Sequence, residues 1–457
     1  MKLNNFISIF LLSFIIINCS KDPSLTNEPD PEDVVEPTPE EPTPEEPVLT
    51  QEVYFTFTTD ESFQTEEGQE DWLILHDNEG ELLDFRSFEK GEQLIFEKRS
   101  DSIPDSFSVT VLKVQFPDSD ECIGNAQHAL QTYPEIEKGS IWTFPNNEFP
   151  DSGIPEKLGE FSFTVTDIPG TDESRLFQNS FVSTPWYYSY ISSHITPNGT
   201  NTAFTINSAQ MNLYENTKYL ISIMDEELNL KYKFFESPLA DEVLNYSFDE
   251  FQEYDSYAYL PAYPPNLDNS FMLVGQVKGE NRSRDMGYLI QNIRHTEIQD
   301  PLPIGFLDEF DYYISSFELN FEKYRYRYVR FGEKPQIEIP NEPVVSISNT
   351  EVASFEMTTD LDYIRKSNRW RHTNSGPCSY TSWTIHSDQN NYPKNIALPQ
   401  SITEQYDLMK IDELEFQHTT FYVQSESYHN FIYNNYEIPP TPDEIREYTE
   451  EIIVVTQ

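Results

Sequence analysis

Beyond Gln51 the chain alternates apolar and polar residues in short runs rich in Thr, Tyr, Phe, Val and Ile. A period of two sends successive side chains to opposite faces of a strand, so these runs predict half-buried β-strands. Three runs look alike: Val53–Asp60, Phe161–Asp167 and Ala353–Asp360 each place apolar residues at alternate positions and close on Thr-Asp. Their spacing is near one and then two lengths of about 100 residues, the size of an immunoglobulin-like sandwich. Trp72–Phe85 and Tyr219–Phe234 each read as strand, polar turn, strand. Both predict hairpins, the first with Gly80 in its turn. The expected fold is mainly β: tandem immunoglobulin-like β-sandwich modules with a few short helices.

Pro and polar residues accumulate near three points, which divide the body into sandwich modules at 51–150 and 151–251 and β-rich modules at 252–345 and 346–457. Helix signals are few. Ser401–Glu404 and Thr441–Glu444 match the capping box, in which the first and fourth side chains satisfy each other's backbone N–H groups. The second has Pro442 at the first helical position and predicts a short helix to about Glu451. Asp241–Tyr254 reads as a helix or an acidic loop, and Ile452–Val455 as a last strand.

The N-terminus breaks this pattern. Residues 1–18 carry Lys2 and then an apolar run from Phe6 to Ile17. That run is too short for a bilayer core, which needs about 20 residues, and reads as an export signal. Residues 19–50 follow as a linker with eight Pro between positions 23 and 50 and the tandem Pro-Thr-Pro-Glu-Glu at 37–41 and 42–46. Pro fixes φ and like charges repel, so the linker is expected to be disordered and extended, reaching up to about 87 Å in the polyproline form.

Charge narrows the function classes. The 457 residues hold 79 Asp and Glu against 29 Lys and Arg, a formal net charge of −50. A phosphate backbone is repelled by such a field, so no nucleic-acid partner is expected. The 28 Tyr and 32 Phe argue for a packed body, because charge-driven disorder comes with few aromatics.

No zinc-protease, nucleophile-elbow, phosphate-loop or dinucleotide motif occurs, and the eight His are scattered, so neither a catalytic residue nor a metal or other cofactor is assigned. Acidic pairs are too numerous for one to be singled out as a glycosidase pair. Asp118–Glu121 and Asp308–Asp311 lack the spaced ligands of a calcium loop. Cys122 and Cys378 are taken as free thiols, with a disulfide as the alternative in an oxidising compartment.

Two basic and aromatic islands stand out. Tyr324, Arg325, Tyr326, Arg327 and Tyr328 would set Tyr on one face of a strand and Arg on the other, and Arg369, Trp370 and Arg371 form a second island. Guanidinium forks match carboxylate and sulfate oxygens, and aromatic faces pack on sugar rings, so these eight residues are candidates for an acidic polysaccharide. The competing reading pairs the Arg with cross-strand Glu and buries the Tyr. Trp186–Tyr190 and Tyr254–Tyr263 are further aromatic stretches, better read as packing.

Ile16-Ile17-Asn18-Cys19 resembles a bacterial lipobox, with Asn18 where a small residue is usual. With Ser20-Lys21-Asp22 the segment resembles surface lipoproteins of Bacteroidota-type bacteria, whose bodies are β-sandwich modules; beyond residue 50 the resemblance is architectural only. It implies removal of 1–18, acylation of Cys19 and anchoring in the outer membrane with the body facing the exterior. The function expected is a non-catalytic binding or adhesion module for glycan or envelope protein. A polysaccharide-degrading hydrolase or lyase on a β scaffold is the first alternative, and a structural envelope lipoprotein the second.

Overall fold

The computed structural model describes residues 50–456 apart from 61–62, 64–67, 118–121, 123, 145–154, 172–179, 191–193, 198–201, 209, 265–266, 278–286, 295–300, 375–377 and 438–446. Residues 1–49, which include the expected export signal, Cys19 and the Pro/Glu-rich run, lie outside the described residues. The described chain is mainly β, as its period-two patterning requires.

Twelve strands form one sheet: β1 (Gln69–His76), β2 (Leu82–Phe88), β3 (Ser106–Gln115), β4 (Gln127–Glu137), β5 (Asp268–Val277), β6 (Tyr288–Arg294), β7 (Phe310–Asn320), β8 (Tyr324–Gly332), β9 (Arg365–Thr373), β10 (Tyr380–Ser387), β11 (Glu415–Gln424) and β12 (Tyr448–Thr456). Their spatial order is β6-β5-β7-β8-β12-β11-β9-β10-β4-β3-β1-β2. Every neighbouring pair in this sheet is antiparallel except β4 and β10, which run parallel from Gln127 opposite Tyr380 to Thr132 opposite Ile385. The ladder therefore draws strands from 51–150, 252–345 and 346–457 into one hydrogen-bonded surface.

Residues 151–251 supply most of two further five-stranded sheets, one centred on Lys157–Pro169 and the other on Lys218–Met224. Phe161, Phe163 and Val165 of the first pack against Val182, Tyr219 and Ile221 of the second, making a sandwich. A three-stranded sheet led by Gln51–Thr59 covers one end of the long sheet, with Phe55, Phe57 and Trp142 packed on Leu73, Val109 and Tyr133. The three similar runs occupy unlike settings. Gln51–Thr59 is the middle of three strands, Lys157–Pro169 lies inside a five-stranded sheet, and Glu356–Thr359 pairs only with Val345–Asn349.

Both predicted hairpins form: β1 pairs antiparallel with β2, and Lys218–Met224 with Leu230–Glu236. Gly80 turns the first at φ +92°, where a Cβ would stand 2.4 Å from the Lys394 carbonyl oxygen. Only glycine fits that turn and that approach. Two helix expectations need correction. Asp241–Tyr254 is neither helix nor plain loop: it holds strand Val243–Ser247 and a 3-10 turn at Phe248–Glu250, where Ser247 and Glu250 form the reciprocal capping pair. The segment from Tyr448 to Glu451 is strand, because it continues the Ile452–Val454 run between β8 and β11; residues 441–446 lie outside the described residues. A helix is present at Ser401 as α1 (Gln400–Gln405), but the expected capping box is not: the N-cap is Pro399, with no side-chain cap, and Ser401 lies inside the helix, whereas α2 (Tyr428–Ile432) is capped by the Ser427 side chain.

The free-thiol expectation is corrected as well. Cys122 and Cys378 form a disulfide with Cα atoms 5.5 Å apart across 256 residues of sequence. It lies just ahead of the parallel β4–β10 pair and joins the segments that contribute those strands. Closing so long a loop in the unfolded chain contributes up to about 5.5 kcal/mol in the chain-entropy account. Replacing both Cys by Ser is therefore expected to lower the urea midpoint of the full chain by that free energy divided by the m-value. A midpoint unchanged by the substitutions, and by reductant on the unaltered chain, would show that the bond adds nothing.

Candidate anion-binding face

The alternation in β8 sorts its residues cleanly. Tyr324, Tyr326 and Tyr328 are buried, while Arg325 and Arg327 are exposed on the opposite face. Trp370 is fully buried, and its Nε1 donates to the Thr350 carbonyl at 2.6 Å. These four aromatics are core beneath the surface, and none offers a ring to solvent. Of the other aromatic stretches, Tyr254 is buried and donates to Ser222 Oγ at 2.9 Å, whereas Tyr259 is exposed.

Register brings the two Arg islands together. Arg325 lies opposite Val454 of β12, Val454 opposite Thr420 of β11, and Thr420 opposite Ser367 of β9. Arg369 lies opposite His418, two pairs along and so on the same face. Directly paired residues share a sheet face, so Arg325, Arg327, His418 and Arg369 project from the same side. On β9 and β10, Arg371 faces Ser382, which faces Ala129 of β4, which faces Lys113 of β3. With strands about 4.8 Å apart, β8 and β9 are separated by about 14 Å, and residues two apart on one strand by about 6.7 Å.

The result is a shallow face carrying four guanidiniums, His418 and Lys113, interleaved with hydroxyls of Thr384, Thr420 and Thr456. Among the described residues none of Arg325, Arg327, Arg369 and Arg371 makes an ion pair. Glu318 is in register with Arg327 and Glu415 with Arg371, yet neither reaches ion-pair distance. The cross-strand Arg–Glu pairing that an acidic body invites is therefore missing here. Arg371 instead lies 4.4 Å over the Tyr380 ring, with its Nε buried and unpartnered.

His418 reports the resulting field. Its pKa is pushed down, first by burial, then by the positive charges of Arg369 and Arg325. Arg residues from both islands thus act on one imidazole. Nothing in sequence spacing places His418 or Lys113 with the Arg residues, since that needs the strand register; the unpaired Arg runs were the only local signal.

Elsewhere the described residues hold no cluster of metal-ligating side chains. Glu309, in one of the acidic stretches, is paired with Lys218. His76 is buried with Nε2 2.8 Å from the Ala397 carbonyl oxygen, a structural contact. Compared with known proteins, the chain matches no family and no curated protein sequence.

Proposed function

We propose that this chain is an exported lipoprotein, held at the outer membrane through Cys19, whose body binds an acidic glycan on the guanidinium face without chemical turnover. The observation that carries this reading is the set of four Arg residues, unpaired with acids and in register on one sheet face of a chain with net charge −50. Guanidinium forks bind carboxylate or sulfate oxygens in bidentate fashion, and Arg is more weakly hydrated than Lys, so its desolvation costs less. Basic side chains that repeat along and across the strands suit an extended chain whose anionic groups repeat along it. The disulfide supports the export half, because such bonds persist in oxidising compartments. The acidic remainder of the body disfavours long nucleic acid, which would track beyond the Arg face into repulsion.

The test uses the full chain with Cys19→Ala, so that it is made unacylated. Binding is measured to polygalacturonate, heparin, neutral dextran and single-stranded DNA. Retention by at least one acidic glycan and not by dextran or DNA is expected. Equal retention by DNA would replace the glycan by any polyanion, and no retention by either acidic glycan would remove the reading. Protease treatment of intact cells tests the address: the unaltered chain should be trimmed from the surface, and Cys19→Ala should appear in the soluble fraction. Protection until the outer membrane is opened would move the body to the periplasm.

A further inference from the structure

A cleft of about 770 Å³ opens where the end of β11 and helix α2 meet the start of β12. Its base is Arg365, 3% exposed, with the guanidinium carbon 3.3 Å from the Tyr422 ring centroid and 4.4 Å from that of Phe431. Nη2 of Arg365 donates to Glu450 Oε1 at 2.9 Å and to Ser425 Oγ at 3.3 Å. Its Nε is buried with no partner. A buried donor left unmade costs about 1–3 kcal/mol, and this N–H is closed to solvent.

The lining combines amide, carboxylate and hydroxyl residues with three aromatics, Phe331, Phe431 and Tyr448. Exposed Gln424 and Asn430 line it, Glu426 accepts from Asn434 Nδ2 at 2.6 Å, and Phe431 is half-buried. Two guanidiniums, Arg330 and Arg365, meet three carboxylates, Glu426, Glu447 and Glu450. An anion therefore gains nothing here, in contrast to the Arg face, and a cation would meet buried Arg365. A neutral ligand with many hydroxyls fits both signs at once: hydroxyls donate to carboxylate and amide oxygens and accept from amide and guanidinium N–H groups. Phe431 adds an apolar surface for C–H groups. The volume lies in the range of small-molecule sites.

We propose that this cleft binds a neutral saccharide unit, a site separate from the anion-binding face and independent of it. It also adjoins that face. Arg327, Ile452, Tyr422 and Arg365 follow one another in register across β8, β12, β11 and β9. A glycan with both uncharged and acidic residues would reach both.

Calorimetric titration of the full Cys19→Ala chain with xylohexaose, mannohexaose, maltohexaose and cellohexaose tests the proposal. At least one hexasaccharide is expected to bind. The double change Gln424→Ala with Asn430→Ala, and separately Glu426→Gln, should each weaken it at least tenfold. Both sets of side chains are at the surface, and an unchanged melting temperature establishes that the fold is intact. Heparin and polygalacturonate binding should not change in these variants, and Arg325→Ala with Arg369→Ala should not change hexasaccharide binding. Failure of all four hexasaccharides to bind overturns the proposal, as does binding that survives the cleft changes. Tighter binding of trigalacturonate than of any neutral sugar in a chain lacking Arg325 and Arg369 overturns the neutral class.

Discussion

Removing Arg325, Arg327, Arg369 and Arg371 together as Ala is expected to weaken acidic-glycan binding by about 100-fold or more. The estimate rests on charge-assisted hydrogen bonds, each worth about 1.5–3 kcal/mol when made, against about 1.4 kcal/mol per tenfold in affinity. Even if half of the four contacts form with any one glycan register, two decades follow. The salt response gives a second readout. Each neutralised anionic group on a dense polyanion releases counterions, so the plot of log affinity against log salt should flatten in the variant. Replacing the same four residues by Lys keeps the charge but loses the fork, and should fall between the two. Arg99→Ala is the control, since Arg99 is exposed and already paired with Asp101 at 2.8 Å. Affinity and salt slope that match the unaltered chain in the four-Ala variant would end the proposed role of the face. Stability should barely move for Arg325 and Arg327, whose side chains are exposed; Arg371, stacked on Tyr380, is the one with a structural share.

Mild acid is expected to destabilise the body by several kcal/mol before its carboxylates titrate. Burial pushes the His128 pKa down to about 4 and that of His386 to about 3, with nearby Arg365 adding to the latter. In the unfolded chain both return to about 6.5. Below that value the unfolded state takes up protons that the folded state refuses, so stability falls as pH drops from about 6.5 towards 4 and 3. Each group loses about 1.4 kcal/mol per pH unit in that window, which comes to about 4 kcal/mol for the pair at pH 5. His76 and His418 are also lowered and add in the same direction. Asp71 and Glu451 oppose this, because burial raises their pKa and the folded state then binds more protons, but their effect begins nearer the carboxylate range. Urea midpoints at pH 7.5 and pH 5 measure the difference, and His128→Gln with His386→Gln should flatten it. Equal midpoints at the two pH values would mean these imidazoles do not titrate through unfolding.

What the sequence made legible was local. The Tyr and Arg alternation of residues 324–328 gives the strand and both its faces, since period two needs no partner. Trp72–Phe85 gives a hairpin because its two strands are adjacent in the chain. Partners far away in sequence were beyond reach. β4 meets β10 across more than 240 residues of sequence, and the Cys122–Cys378 bond follows from that meeting, so no local pattern foretells either. Trp370 carries the same aromatic signal whether it faces sugar or core; only packing against Phe355 and Phe416 decides. The four Arg residues were visible, but their convergence was not: it depends on β12 and β11 lying between β8 and β9, and on a register that brings His418 opposite Arg369.

The position of β12 has a consequence for how the chain reaches this state. Residues 448–456 sit between Tyr324–Gly332 and Glu415–Gln424, filling the gap between the two halves of the ladder. In chain order these residues follow every other described strand. Until they pair, β8 and β11 each present an open edge of unpaired N–H and C=O groups, and the Arg residues of β8 are not yet aligned with those of β9. The sandwich of residues 151–251 can close before them, but the long sheet has to wait. Contacts of such sequence separation form slowly. The Arg face is therefore assembled only when β12 pairs, and until then the two edges are where wrong strand pairing can occur.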